Sequence, residues 1–437
     1  MFNYIRKKME SELIRRILKA ITFGIGGMAI AKGILLLINM IIARLIDEQS
    51  YGAYSLINNT VQTFLLFASA GLGVTLTRYV ALYRDKDKTL AGILIKSLLV
   101  INIILSAFVS IFIFVFSGKL SEILNPAFDI SVYLKITAFV IFFASLALIW
   151  QSMLQGFEKF KSLAISQIVS HIVTLITGCI ITKFFGLMGA IISLLILQIM
   201  SLMTMFIIGR KIIQERKIKL KCQFNHPEVK EAIKNFTIPA FLSSIFIMPL
   251  LWFTNVTFTR TCGYEQYAAF SICIQWLTII NYLPQQLGQV KPIYTQLYDN
   301  GKIEEFKKVV YKMIQFSALF SIVISIMLVI LNQFILGIYG DGYKDAGSAF
   351  IIIMITSIFM TVQTQFGAVY QAVGEVWLSF KLNAIWSIIF LILFYIFLRY
   401  SIIGYALTYL ISYMIYGIIS YIVFYKKIGK ERKVNMQ

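Results

Sequence analysis

Carboxylates are missing from every long apolar run of this chain. All twenty Asp and Glu lie in the segments between those runs or in the tails. Transporters that exchange a cation for H+ or Na+ place carboxylates inside their helices, so this absence argues against that class. Other chemistry is scarce as well. No GxxxxGK[ST] sequence is present, which excludes a built-in P-loop motor. Of the four cysteines, Cys222 is expected on the cytoplasmic side, Cys262 outside, and Cys179 and Cys273 within the membrane. Neither a disulfide frame nor a metal set follows, and no cofactor is expected.

What the chain has in abundance is apolar length. Hydrophobic residues make up 59% of its 437 residues and charged residues 14%, a balance foreign to water-soluble domains. About 20 apolar residues cross the hydrocarbon of a bilayer. Twelve such runs lie near 22–43, 53–77, 91–116, 133–156, 163–183, 187–209, 234–258, 267–290, 309–331, 346–372, 379–398 and 404–425. The chain therefore reads as an all-α polytopic membrane protein.

Its formal charge of +20 is placed unlike that of a nucleic-acid binder. With the N-terminus inside, seven Lys and Arg fall at the outer side: Arg44, Lys119, Lys135, Lys183, Arg260, Lys344 and Arg399. Lys32 and Lys96 fall within helices. The other thirty-one fall inward, mainly in 1–20, 78–88, 210–234, 291–312 and 426–433. This is the positive-inside rule, and it puts both termini in the cytoplasm. The N-terminal stretch has the n-region of a signal peptide, but the following run is too long and no A-x-A site follows. An uncleaved first helix is expected.

The clearest organisation is an internal repeat. "RLIDEQSYGAYSL" from Arg44 returns as "RTCGYEQYAAFSI" from Arg260, 216 residues later, with Tyr51, Ala53 and Ser55 matched by Tyr267, Ala269 and Ser271. Gln155 returns as Gln371 and Lys183 as Arg399 at the same offset. The expected organisation is two six-helix lobes of equal orientation, 1–209 and 234–437, joined by a basic cytoplasmic linker, 210–233. Transporters built of such repeats bind substrate between them near the midplane. A polar stripe on the eighth run, Ser271, Gln275, Thr278, Tyr282, Gln285 and Gln289, suits a cleft wall or interhelical hydrogen bonding. The second run repeats it with Ser55, Asn59, Gln62 and Ser69, and Leu66 in the fourth place. Gly33 aligns with Pro249, and Pro239 lies in the same seventh run. All three are candidate hinges.

Among the charges, depth decides. Lys32 is about ten residues into its helix, roughly 15 Å from either face, too deep for a lysine to snorkel to water. It must face the protein interior or a wet cavity. Its repeat partner is Met248, so the shared architecture does not require the cation, and an anionic ligand is the expected counterpart. Asn39 is a further candidate for the cleft. Lys96 lies close to the cytoplasmic end, where snorkelling accounts for it, and it is also a candidate for the substrate cleft. Arg44, Arg78, Arg260 and Lys291 stand at helix ends, where anchoring is the default reading. The repeat-matched pair Arg44 and Arg260 are also candidates for the substrate cleft. His171, on a stripe with Gln167, Ser170, Thr174 and Thr177, is a packing residue or a proton relay, since histidine titrates near neutral pH. His226, in the linker, reads as solvated.

The stretch from Ile41 to Arg84, with Arg44, Glu48 to Ser55, Gly71, Gly73, Arg78, Tyr79 and Tyr83, resembles the first two helices of polysaccharide-biosynthesis flippases. These O-antigen and capsule repeat-unit translocases belong to the multidrug/oligosaccharidyl-lipid/polysaccharide (MOP) exporter superfamily. "LQGFEKFK" from Leu154 and "FGLMGA" from Phe185 resemble later junctions of that family. The resemblance implies a V-shaped pair of lobes with helices one, two, seven and eight around a cleft. It also implies a substrate of polyprenyl (usually undecaprenyl) diphosphate bearing an oligosaccharide, carried out across a bacterial cytoplasmic membrane toward polysaccharide polymerase machinery. The nearest rival is a MATE-like multidrug cation antiporter of the same superfamily, which the missing carboxylates disfavour. A major-facilitator transporter lacks its basic, Gly-rich signature in "LYRDKDKTLAG". A polymerase or ligase would need a larger outer domain than the loop near 117–132 provides.

Overall fold

The computed structural model describes residues 26–124, 129–287 and 291–428 and is helical, with no strand among them. They form two compact units, residues up to 46 with 57–244, and 47–56 with 245 onward.

The first unit begins with α1 (Gly26–Leu45). α2 (Glu48–Ser69) follows, its first turns belonging to the second unit. Then come α3 (Leu72–Tyr83), α4 (Lys88–Val115), α5 (Ser117–Leu124), α6 (Ser131–Gly156), α7 (Phe160–Glu215), α8 (Pro227–Ala232) and α9 (Ile238–Ser244). Starts are capped where the sequence provides a short carboxylate. Asp87 accepts from the backbone N–H groups of Thr89 and Leu90 at 2.9 and 3.0 Å, and Asp47 accepts from Ser50 N–H at 2.8 Å. The core gathers Leu76 and Val80 of α3, Leu98 of α4, Trp150 and Met153 of α6, and Met205 and Ile212 of α7.

The linker packs on this unit. Ile218, Val229 and Ala232 are buried, Gln223 N–H donates to Ser97 Oγ at 3.0 Å, and Tyr83 donates to Glu228 at 3.0 Å. Arg216 pairs with Asp85 at 2.9 Å, and that contact holds the Asp85 carboxyl below the usual carboxylate range. His226, which the sequence suggested was solvated, is half-buried and caps α8, its Nδ1 accepting from Glu228 N–H at 3.3 Å.

The second unit holds α10 (Ile247–Cys262), α11 (Tyr264–Leu287), α12 (Lys291–Asp299), α13 (Ile303–Ile330), α14 (Asn332–Tyr339), α15 (Gly347–Ala372), α16 (Val376–Phe397) and α17 (Ser401–Val423). Its interior stacks Phe258, Phe270, Phe390, Tyr405 and Tyr409, with Phe270 and Tyr405 centroids 4.2 Å apart. Both units turn large apolar side chains outward, such as Phe108 (70% exposed), Phe184 (74%) and Ile330 (74%), and hold small hydroxyls inside. Ser321 and Ser325 each meet Ser357 at 2.8 Å, and Thr204 joins Ser170 at 3.3 Å. In lipid, apolar side chains need no burial, while hydroxyls need partners. This is an integral membrane protein.

The repeat is visible in the elements themselves. α2 begins at Glu48 and α11 at Tyr264, and α3 ends at Tyr83 and α12 at Asp299, both 216 residues on. Eight helices among the described residues are long and apolar enough to cross a membrane, nine if α2 and α3, bent by 51°, count as one. The sequence suggested twelve. Two of the eight, Phe160–Glu215 and Trp377–Lys426, are of double length and each cover two of the apolar runs, and α2 with α3 covers another. The run near 267–290, which is α11, is not among the eight. α7 is interrupted at Gly186 (φ 54°, ψ −132°). The second unit makes the same bend at Ser401 (φ 53°, ψ −135°). These positions are 215 apart, one fewer than the offset joining Lys183 to Arg399.

That backbone conformation suits glycine and strains any residue with a Cβ. Ser401→Gly is expected to stabilise the protein by about 1 kcal/mol and Gly186→Ala to destabilise it by about 1–3 kcal/mol. Thermal denaturation of the purified variants in detergent measures both shifts.

Candidate functional site

In the first unit, α1 and the first half of α7 approach closely because Gly27 faces Ala164. A Cβ built on Gly27 would lie 2.4 Å from the Ala164 Cβ. One turn further along α1, Ala31 is fully buried, and its backbone carbonyl is near enough to the His171 imidazole to act on it electrostatically. The ring nitrogen Nδ1 is enclosed and has no partner among the described residues. Lys32 follows Ala31 and stands close enough for its charge to act on His171. Lys32 is half-buried, and no carboxylate pairs with it among the described residues. The structure thus joins two sequence candidates, the deep lysine and the membrane histidine. Nothing in the sequence pattern linked them.

Other candidates in this unit are more scattered. Asn39 is half-buried, and Arg44, in the last turn of α1, is exposed. α1 is continuous through Gly33. On α2, Asn59 is half-buried with its Oδ1 enclosed, and Gln62 is exposed. Lys96 is half-buried in α4. Arg78 is stacked 3.8 Å over the Phe236 ring. Deeper in α4, Asn102 donates to Ser145 at 2.8 Å, and both donate to the Ala68 carbonyl beside the bend into α3, at 3.4 and 3.2 Å. Sequence reading missed this buried triad. Asn102 was its one visible sign, an amide in an apolar run.

In the second unit, the α11 stripe divides. Its first turns bond to the start of α2: Ser271 donates to Ser55 at 2.9 Å, and Gln275 donates to the Tyr51 hydroxyl at 2.9 Å. Thr278 and Gln285 are exposed, while Tyr282 is half-buried with an enclosed hydroxyl that has no partner among the described residues. Gln289 lies outside the described residues. Arg260 is exposed in the last turn of α10. Gln365 of α15 donates to the Pro284 carbonyl at 2.9 Å. Pro284 is the repeat partner of Ala68, so both repeats satisfy the same carbonyl with side chains from elsewhere. The seventh apolar run is broken between its two prolines, at the turn Ile245–Phe246. Pro239 follows a π-helical turn, Ile233–Thr237, and Pro249 lies in the first turn of α10, where the missing N–H costs no bond.

Residues 17–283, more than half of the chain, match the family described as polysaccharide biosynthesis protein. The chain belongs to that family. Residues 239–396 also match MatE. No curated protein matches the chain. Among solved structures, it is similar to an inward-facing multidrug resistance MATE family transporter of the MOP superfamily, with TM-score 0.74 and 15% identity over 91% of this chain and 94% of that one. A MOP superfamily transporter from Pyrococcus furiosus is similar at TM-score 0.67 and 15% identity, over 94% of this chain and 96% of that one. Its description reports a binding pocket of reverse polarity that suggests a different function. A MATE structure in the straight conformation gives TM-score 0.68 at 17% identity, with 94% of each chain covered. The polysaccharide biosynthesis protein family, with these neighbours, makes this a transporter of the MOP exporter superfamily and not an enzyme.

Proposed function

We propose that this transporter is a flippase for polyprenyl (undecaprenyl) diphosphate-linked oligosaccharide repeat units, moving them to the outer leaflet for surface polysaccharide assembly. The observation that carries the reading is Lys32: a cation inside a membrane-spanning helix, half-buried and without an acidic partner among the described residues. A diphosphate crossing a bilayer core needs compensation for its lost water, and a fixed ammonium supplies a charge-assisted contact. Exposed Gln62, Thr278 and Gln285 offer hydrogen bonds suited to sugars. A pocket of reverse polarity, described for the Pyrococcus relative, is what a switch from cationic to anionic cargo would require. The protein is placed in a bacterial cytoplasmic membrane with both termini inside, an orientation supported by its inward Lys and Arg. Polymerase machinery would take the exported unit.

Cation antiport of the MATE kind is the second reading, favoured by the MatE match over 239–396. Proteoliposomes separate the two. The protein is expected to make a lipid-diphosphate oligosaccharide accessible to an external glycosidase or lectin. It should not drive uptake of a cationic dye under a pH or Na+ gradient. Dye transport without lipid flipping would reverse the assignment.

A further inference from the structure

Resting on the flippase reading, we propose that the substrate's oxyanion binds between Lys32 and His171, and that the imidazole takes up a proton as the anion arrives. The His171 imidazole lies near the Ala31 carbonyl and the Lys32 ammonium, and its Nδ1 is enclosed without a partner among the described residues. In the neutral ring that nitrogen is an acceptor; in the charged ring it is a donor. A donor there needs an acceptor, and its charged neighbour, Lys32, is a donor too.

Among the described residues, no carboxylate on α1, α6 or α7 stands near His171. The hydroxyls of Ser166, Ser170 and Thr204, on the two halves of α7, are bonded to one another. α6 carries no Asp, Glu or His, and its one lysine, Lys135, is near its start. On α7 itself Lys161 and Lys183 are ten and twelve residues away, roughly 15 and 18 Å along the axis. Two positive charges side by side repel unless an anion lies between them. An oxyanion reverses that balance, so anion binding and proton binding reinforce each other, as linkage requires. The proton comes from water and returns to it when the anion leaves. A single new N–H bond is made and broken in each cycle.

The test uses the full chain in lipid nanodiscs and a short-chain prenyl diphospho-N-acetylglucosamine, whose diphosphate diester carries no ionisable proton near neutral pH. Calorimetric titration in two buffers of different ionisation enthalpy counts the protons taken up. The wild type is expected to take up about one proton per ligand bound near pH 8, with affinity falling by up to about tenfold per pH unit above neutrality. His171→Gln, a neutral polar side chain that takes up no proton, is expected to bind with uptake close to zero and a flat pH profile. Wild-type binding without proton uptake, or unchanged uptake in His171→Gln, would overturn the coupling and leave the flippase reading standing. No wild-type binding at all would overturn both. If His171→Gln does not purify as a monodisperse protein, the wild-type pH profile decides: a tenfold-per-unit slope supports the coupling and a flat one refutes it.

Discussion

Exchanging Lys32 for glutamate is expected to cut surface polysaccharide to below about a tenth of the wild-type level, with the variant still accumulating in the membrane. A unit charge about 4 Å from another interacts by about 4 kcal/mol at an effective dielectric of 20. Reversing the sign turns that attraction into repulsion, and each 1.4 kcal/mol is about a factor of ten. Lys32→Arg keeps the charge and should retain most activity. Lys32→Met installs the residue found at the repeat-related position, Met248. It should fall between the two, since a neutral site neither attracts nor repels the diphosphate. Surface polysaccharide measured against immunoblotted protein separates transport from stability. Normal polysaccharide in stably expressed Lys32→Glu would remove the anion-binding role from this residue.

The second large effect is structural. Gly52, near the start of α2, lies so close to α11 that a Cβ there would sit 2.1 Å from the Tyr264 carbonyl oxygen. Backbone cannot yield as a side-chain tip can, so a branched residue must push the helices apart. Gly52→Val is expected to destabilise the protein by about 3 kcal/mol or more and to deplete it from membranes. Gly33→Val, where a Cβ meets nothing within 4 Å, serves as the control and should accumulate normally. Fluorescence-detected size exclusion of both variants reads the difference, and equal profiles would contradict the close approach.

Much of the architecture was legible before any coordinates. Tyr51, Ala53 and Ser55 announced the repeat, and the structure starts α2 and α11 at positions with the same spacing. That Lys32 lies within a helix of membrane-crossing length was legible from the apolar run alone. Its neighbour His171 was not, because a hydropathy pattern says which face of a helix is apolar and not which helix covers it. The same limit hid the allegiance of residues 47–56, which pack with the second unit through Tyr51, Gly52 and Ser55. In the linker, lysines concealed Ile218, Val229 and Ala232, apolar residues whose burial fastens it to the first unit. The α11 stripe was visible as polar. That Ser271 and Gln275 spend their polarity on Ser55 and Tyr51, while Thr278 and Gln285 stay exposed, depends on contacts that spacing does not encode.

The bond between Ser55 and Ser271 joins residues 216 apart, which is the length of the repeat. Were the two repeats once separate, identical chains, this would have been a single serine greeting its own copy across a twofold axis, the mark of a self-complementary dimer. Duplication and fusion would then have tethered partners that already depended on each other. On that view a half-length version of this gene should yield a protein stable only as a pair.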